Sequence, residues 1–296
     1  MKRIKNLIRN INYLSKHSLW DRREEDIVYL TNKILSDAVY EFDLDVEGIP
    51  KLKILDQMQS LEAIRDSNKS FVRTGDGEVK IMMGMDQPFQ KYEQEIADRL
   101  IRLLENPGED ILVGINRNYF VPLMTKGNAV YYRRNAYSFR NFYLEHCNPD
   151  VTYIDATCTS YPIGCGDTED GYNSMVYEYW RKLFVGKHIA VVCGKGILDS
   201  LKYDVFELAA SKKMIEGPKR HAWDEHDALI SRIKREVSKE QLIVFILGMA
   251  GKAMIPELTD MGYVCWDVGH LAKYYNAYKT NLPGTKENIA RFYAPD

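Results

Sequence analysis

Two carboxylates, Asp76 and Glu78, stand one residue apart in the stretch SFVRTGDGEVKIMMG (Ser70 to Gly84), interleaved with Gly75 and Gly77 and just past a short apolar run. Alternate residues of an extended or turning backbone project to the same side. Two hard oxygen donors so placed can share one Mg²⁺ or Mn²⁺, a cation that takes its remaining ligands from water and substrate phosphates. Asp-Gly is equally a common turn former, so the residues alone leave two readings, a metal site or a Gly-Asp-Gly turn. Context favours the first, because the pair follows a buried-looking strand and opens the next helix.

Related chemistry recurs at the ends of other apolar runs, in GINRN, CGKG, LGMAGK and DVGH. Glycine at such a turn lets backbone N–H groups approach an anion, and a helix starting there adds its positive dipole end. The amides around Gly75, Gly77, Gly194, Gly196, Gly248 and Gly251 and the ammonium groups of Lys195 and Lys252 are therefore candidates to hold a phosphate-bearing ligand. Tight turns with solvated lysines would use the same residues. Asn116 and Arg117, closing ILVGINRN, could contact sugar or phosphate. No stretch matches G-x-x-x-x-G-K-[ST] or G-x-G-x-x-G, which argues against a P-loop and a standard dinucleotide site. His270, in WDVGH, titrates in the range a general base needs. Asp267 would orient that imidazole or act as base itself, and with Glu78 these two make up the candidate catalytic set. Arg73 would balance the carboxylates, in catalysis or in a structural ion pair. His221 and His226, five apart, fall off one helical face, which argues against a metal pair.

These residues need a scaffold, and the chain from about Lys51 onward supplies an α/β pattern. Helix-period segments alternate with KSFVRTG, DILVGIN, VTYIDAT, HIAVVCG, QLIVFILG and GYVCWDVG. Most of these runs are apolar on both faces, as in strands of a mostly parallel sheet with helices on both faces. Ligands bind beyond the carboxyl ends of such strands, where the candidate residues stand. Two helices up to about Phe42 and a polar joint, DLDVEGIPK, precede this region. The expected division is an N-terminal helical extension, residues 1–50, and an α/β domain, residues 51–296.

The 40 basic and 42 acidic side chains give a net charge of -2, which provides no global field for a polyanion and argues against nucleic acid. The odd set Cys147, Cys158, Cys165, Cys193 and Cys265 contains no C-x-x-C pair and reads as buried thiols in a reducing cytoplasm. Residues 1–20 carry five basic side chains, no acidic one, and apolar residues at helical spacing. Such a helix could rest on the inner face of a membrane, pack on its own domain or join a homodimer. No run approaches a membrane span.

The stretch FVRTGDGEVKIMMG resembles the RFGDGE signature of the GT-D-type glycosyltransferases, a bacterial family first catalogued as a domain of unknown function. LGMAGKAMIPELTDMGYVCWDVGHL is similar, in order and spacing, to that family's Leu-Gly-Pro-Thr-Ala stretch followed by Gly-Tyr and Asp-Ile-Gly-His. The segment between, VVCGKG through HDALI, resembles the family's glycine-bearing strand end, Asp-Leu-Phe and Pro-x-x-x-Ala-Phe. The resemblance implies a Rossmann-like glycosyltransferase of hexosyltransferase type. Its donor would be a nucleotide sugar, a UDP-sugar by the resemblance, and its acceptor a glycan or glycoprotein of the bacterial surface. It places Mn²⁺ or Mg²⁺ at Asp76 and Glu78 and puts His270 at the reacting end. Trp223 would then lie against the uracil ring or serve as a core aromatic. Ala272, Tyr274 and Asn276 stand where the family carries acidic residues, and CGKGILDS replaces its Glu-Gly-Glu-Lys stretch, so a different sugar or acceptor is expected. A metal-dependent phosphoesterase or pyrophosphatase, and a non-catalytic nucleotide-sugar-binding partner, are the alternatives.

Overall fold

The computed structural model describes residue 31 and residues 52–120, 129–161 and 171–294. The segment of residues 1–20, the polar joint, Cys165 and, apart from Thr31, the second expected helix lie outside the described residues. Two compact units divide the chain, Met1–Ile49 with Asn118–Asn141 and Pro50–Arg117 with Phe142–Asp296. In the first, Tyr119 and Phe139 meet edge to face at 5.5 Å.

The second unit holds every described strand: β1 (Lys53–Ile54), β2 (Ser70–Thr74), β3 (Ile111–Ile115), β4 (Thr152–Asp155), β5 (His188–Gly194), β6 (Ser211–Gly217), β7 (Leu242–Ile246) and β8 (Val264–Asp267). They form one sheet in the order β1-β4-β3-β2-β8-β7-β5-β6, with all described pairs parallel. The six apolar runs of the sequence are six of these strands. The two additions are β1, only two residues long, and β6, SKKMIEG, an edge strand whose charged face is exposed. Lysines on such an edge discourage pairing with another chain.

The described helices are α1 (Gln57–Ser67), α2 (Asp76–Met82), α3 (Gln94–Glu105), α4 (Ala129–His146), α5 (Tyr172–Leu183), α6 (His226–Glu236), α7 (Gly248–Asp260), α8 (Leu271–Lys279) and α9 (Lys286–Tyr293). Local signals set their limits. Asp56 and Gln59 form a reciprocal capping box at the start of α1, and Asn68 ends it in the left-handed conformation. Both sheet faces are covered. Phe71, Val191, Val244 and Trp266 join Leu61, Ile64, Trp180, Phe184 and Leu271 in one apolar cluster. Their alternate neighbours Val72, Ile243 and Phe245 point to the other face and are equally buried.

Cys147, Cys158, Cys193 and Cys265 are buried free thiols. No described helix is long and apolar enough to cross a membrane.

Candidate active site

The carboxyl ends of β2 and β8 lie side by side in the middle of the sheet, with β7 next to β8. Each opens into a helix: β2 through Gly75 into α2, β8 through Val268, Gly269 and His270 into α8, and β7 through Leu247 into α7. The parallel strands therefore bring residues 75–78, 248–252 and 267–270 to one place from widely separated stretches of chain.

Four buried charges tie these turns together. Arg73, Glu78, Lys252 and Asp267 are 7%, 6%, 7% and 2% exposed. Glu78 Oε2 accepts the Gly75 backbone N–H at 2.7 Å, and Glu78 Oε1 accepts the Lys252 ammonium at 2.5 Å. Lys252 Nζ also lies 3.7 Å from Asp267 Oδ2. Arg73 donates through Nε to the Asp267 carbonyl at 2.9 Å, through Nη2 to Asp267 Oδ1 at 3.2 Å, and through Nη1 to the Ala156 carbonyl at 3.2 Å. Asp267 Oδ1 further accepts the Gly269 N–H at 3.2 Å. Two cations and two anions compensate one another, as buried charges must. Burial alone would raise the Glu78 carboxyl, but Lys252, the Gly75 N–H and Arg73 outweigh it and hold that group below its ordinary range.

This network assigns several residues differently from the spacing argument. Asp76 and Glu78 do not face one point. Asp76 begins α2 with its side chain 43% exposed and an ion pair to Lys80 at 3.7 Å, while Glu78, three residues after the Gly75 cap, turns inward. A Glu three residues after a helix cap that reaches back to the cap N–H is half of a capping box. Gly-Asp-Gly-Glu carries that signal, which the sequence reading passed over. Lys252 is directed at Glu78 and not at solvent. Asp267 is engaged by Arg73 and Gly269 rather than by the imidazole of His270.

The glycines also divide. Gly269 has φ +51, and a Cβ there would stand 2.0 Å from Arg73 Nη2. Gly77 faces the methyl of Met249, 2.8 Å from where its Cβ would be, so α2 and α7 touch there. Gly248 takes φ +59 at the start of α7 with open space around it. Gly251 serves close packing, since a Cβ would meet Phe245 at 2.9 Å. Gly194, exposed Lys195 and Gly196 (φ +72) form successive turns after β5, where no helix begins. The strand order sets β5 three inter-strand spacings from β2, about 14 Å. Buried Asn116 and half-buried Arg117 follow β3, the other neighbour of β2. The Arg117 N–H donates to Asp155, whose carboxyl burial pushes up.

His270 caps α8 inside an aromatic surround. Phe89 and Tyr274 lie 6.4 Å from its ring, and Phe292 and Tyr293 lie 6.0 Å from it. Burial, with Lys273, Arg73 and Lys252 adding to it, pushes the imidazole down to about 4, so it is neutral at physiological pH. Phe89 is held by its carbonyl, which accepts the His221 N–H at 2.8 Å. Trp223 lies half-buried under the Arg99 guanidinium at 5.0 Å and 4.5 Å from His226, which bonds Glu257 at 2.9 Å. His221 accepts the Lys91 N–H at 3.2 Å, so the two histidines serve separate contacts. The aromatic surround of His270 was not foreseen, because its members come from residues 89, 274, 292 and 293. Only Tyr274 had stood out, as a departure from an acidic pattern.

The carboxylates bear directly on cation binding. Among the described residues no group of three His, Cys, Asp or Glu side chains could hold a metal. Both oxygens of Glu78 already accept hydrogen bonds. Asp76 alone fits a divalent cation, in the mode where one carboxylate acts together with water and substrate phosphates.

A family model for the glycosyltransferase GT-D fold matches residues 71–294. The chain is 26% identical over 258 residues to a probable glycosyl transferase Gly of Streptococcus gordonii, covering 83% of this chain and 36% of that protein. It is 25% identical over 253 residues to the glycosyltransferase GlyD of Streptococcus pneumoniae serotype 4, covering 83% and 30%. The chain thus spans about a third of the length of these curated relatives. A solved structure of the highly conserved domain of unknown function 1792, described as having a distinct glycosyltransferase fold, superposes with a TM-score of 0.73 at 25% identity, covering 86% of this chain and 87% of that one. A glycosyltransferase of the same domain type from Streptococcus sanguinis shares the fold, with a TM-score of 0.71 at 23% identity over 80% and 87%.

Proposed function

The chain belongs to the glycosyltransferases of GT-D fold, and on that premise we propose that it transfers a hexose from a UDP-sugar to a hydroxyl of a glycan or glycoprotein of the bacterial surface, with Mn²⁺ or Mg²⁺ held through Asp76. The carrying observation is the meeting of a solvent-facing carboxylate at the start of α2, the open start of α7 at Gly248 and a neutral imidazole at the start of α8, all at the carboxyl ends of central strands.

Bond cleavage at the anomeric carbon develops negative charge on the leaving diphosphate, and a bound divalent cation would offset it. Asp76 supplies the carboxylate for that cation. The first-turn N–H groups of α7 face the same strand ends and suit a phosphate oxygen. The His270 imidazole, neutral and without a hydrogen-bond partner among the described residues, can accept a hydrogen bond from the attacking hydroxyl and orient it. Its depressed basicity suits orientation better than long storage of a proton. Glu78, Lys252, Asp267 and Arg73 hold the turns in register.

Thermal unfolding with UDP, GDP, CMP and a series of UDP-sugars, each with and without Mn²⁺, tests this reading by mass action and needs no acceptor. Stabilisation by UDP compounds only when metal is present is the expected result. Stabilisation by none of them sinks the donor assignment.

A further inference from the structure

We infer that Tyr293 is a sugar-stacking residue, the platform on which the ring of the acceptor saccharide rests as its hydroxyl is presented beside His270. This rests on the glycosyltransferase reading above and adds to it the residue that recognises the acceptor.

The chain holds 20 tyrosines, 10 phenylalanines and four tryptophans. Among the described residues outside 129–137, Tyr293 is the one exposed Phe, Trp or Tyr side chain, at 45%. Its ring is nonetheless fixed. The Tyr293 and Tyr274 hydroxyls hydrogen-bond at 2.5 Å, and Phe292 packs against it edge-on at 4.9 Å. It stands 6.0 Å from the His270 ring and nearly perpendicular to it, at 87°. The Asp76 charge also acts on its hydroxyl: burial pushes the phenol up, the Tyr274 bond opposes this, and Asp76 adds to the rise. An exposed ring, held rigid at its polar end, thus stands beside the proposed hydroxyl-orienting imidazole, with the charge of the proposed cation carboxylate acting on its hydroxyl.

Tyrosine in such a setting offers a flat apolar face at low entropic cost together with a polar tip. The C–H face of a pyranose is the matching surface. The acceptor is the better occupant than the donor, because the reading above puts the donor diphosphate at the start of α7, and Tyr293, exposed where His270 is half-buried, is open to a glycan that extends into solvent.

Saturation-transfer NMR on the full chain, with UDP and Mn²⁺ present, can test this with methyl glycosides of glucose, galactose, N-acetylglucosamine and N-acetylgalactosamine. At least one glycoside should receive saturation at its ring protons. Tyr293→Ala should weaken that binding roughly fivefold or more, and Tyr293→Trp should keep it, with UDP affinity unchanged in both. Tyr293→Leu, which keeps the helix face apolar, serves if the alanine variant unfolds, and the same loss is expected. No saturation in a wild-type protein that binds UDP, or equal saturation in Tyr293→Ala, overturns the inference. Glycoside binding that depends on Tyr293 in a protein that does not bind UDP instead removes the donor assignment and leaves the platform standing.

Discussion

The ammonium of Lys252 lies 2.5 Å from Glu78 Oε1, joining two residues 174 positions apart inside the protein. Together with the Gly75 N–H it holds Glu78 inward while its neighbour Asp76 stays at the surface, which leaves Asp76 as the carboxylate proposed for the cation.

Removing one partner strands the other charge. Lys252→Met should destabilise the fold by about 3–5 kcal/mol, the usual consequence of leaving a buried carboxylate unpaired. Adding Glu78→Gln to that variant should recover part of the loss, since the stranded charge is then gone. Urea unfolding of the two single variants and the double variant measures this coupling. Strictly additive losses would mean that the pair is not coupled.

Two glycines with positive φ should respond differently to alanine. At Gly84, φ +84, nothing lies within 4 Å of a new Cβ, so Gly84→Ala should cost only the left-handed strain, about 1–2 kcal/mol. At Gly269 the same strain adds to a clash with Arg73 Nη2, and Gly269→Ala should cost clearly more, with Arg73 displaced from Asp267. Equal unfolding midpoints for the two variants would contradict this description of the turn after β8.

The pH dependence follows from His270. Its folded value is pushed from 6.5 to about 4, so between those limits the unfolded chain binds the proton better than the folded one. The associated stability is present above pH 6.5 and is lost as pH falls toward 4. Unfolding free energies of wild type and His270→Asn, compared from pH 7 to 4, should converge on the acid side. Glu78, also depressed, loses its contribution only below its ordinary 4.5. A wild-type-to-variant difference that is flat across the range would show an imidazole in an ordinary aqueous setting.

Much of this architecture was legible in the sequence because strands buried on both faces advertise themselves as continuous apolar runs. SFVRT, ILVGI and LIVFI needed no partner to be recognised. SKKMIEG did not advertise itself, since an edge strand can expose charged residues and its pairing with β5 is decided by the neighbour. At the site, sequence located the turns but not the directions of the side chains within them. The cap position marks Glu78 locally through its bond to the Gly75 N–H, but nothing local to TGDGE encodes the lysine on α7 that pairs with its other oxygen. Tyr293 escaped for the same reason. Its meaning comes from Tyr274 and His270, which the fold of α8 and α9 brings to it.

The division between Asp76 and Glu78 is tested most directly by calorimetric titration of UDP in the presence and absence of Mn²⁺, on wild type, Asp76→Asn and Glu78→Gln. Wild type should need Mn²⁺ for tight binding. Asp76→Asn should lose about tenfold or more of the Mn²⁺-supported affinity with an unchanged unfolding midpoint, whereas Glu78→Gln should lower the midpoint itself. Undiminished Mn²⁺-dependent binding of UDP by Asp76→Asn would contradict the account.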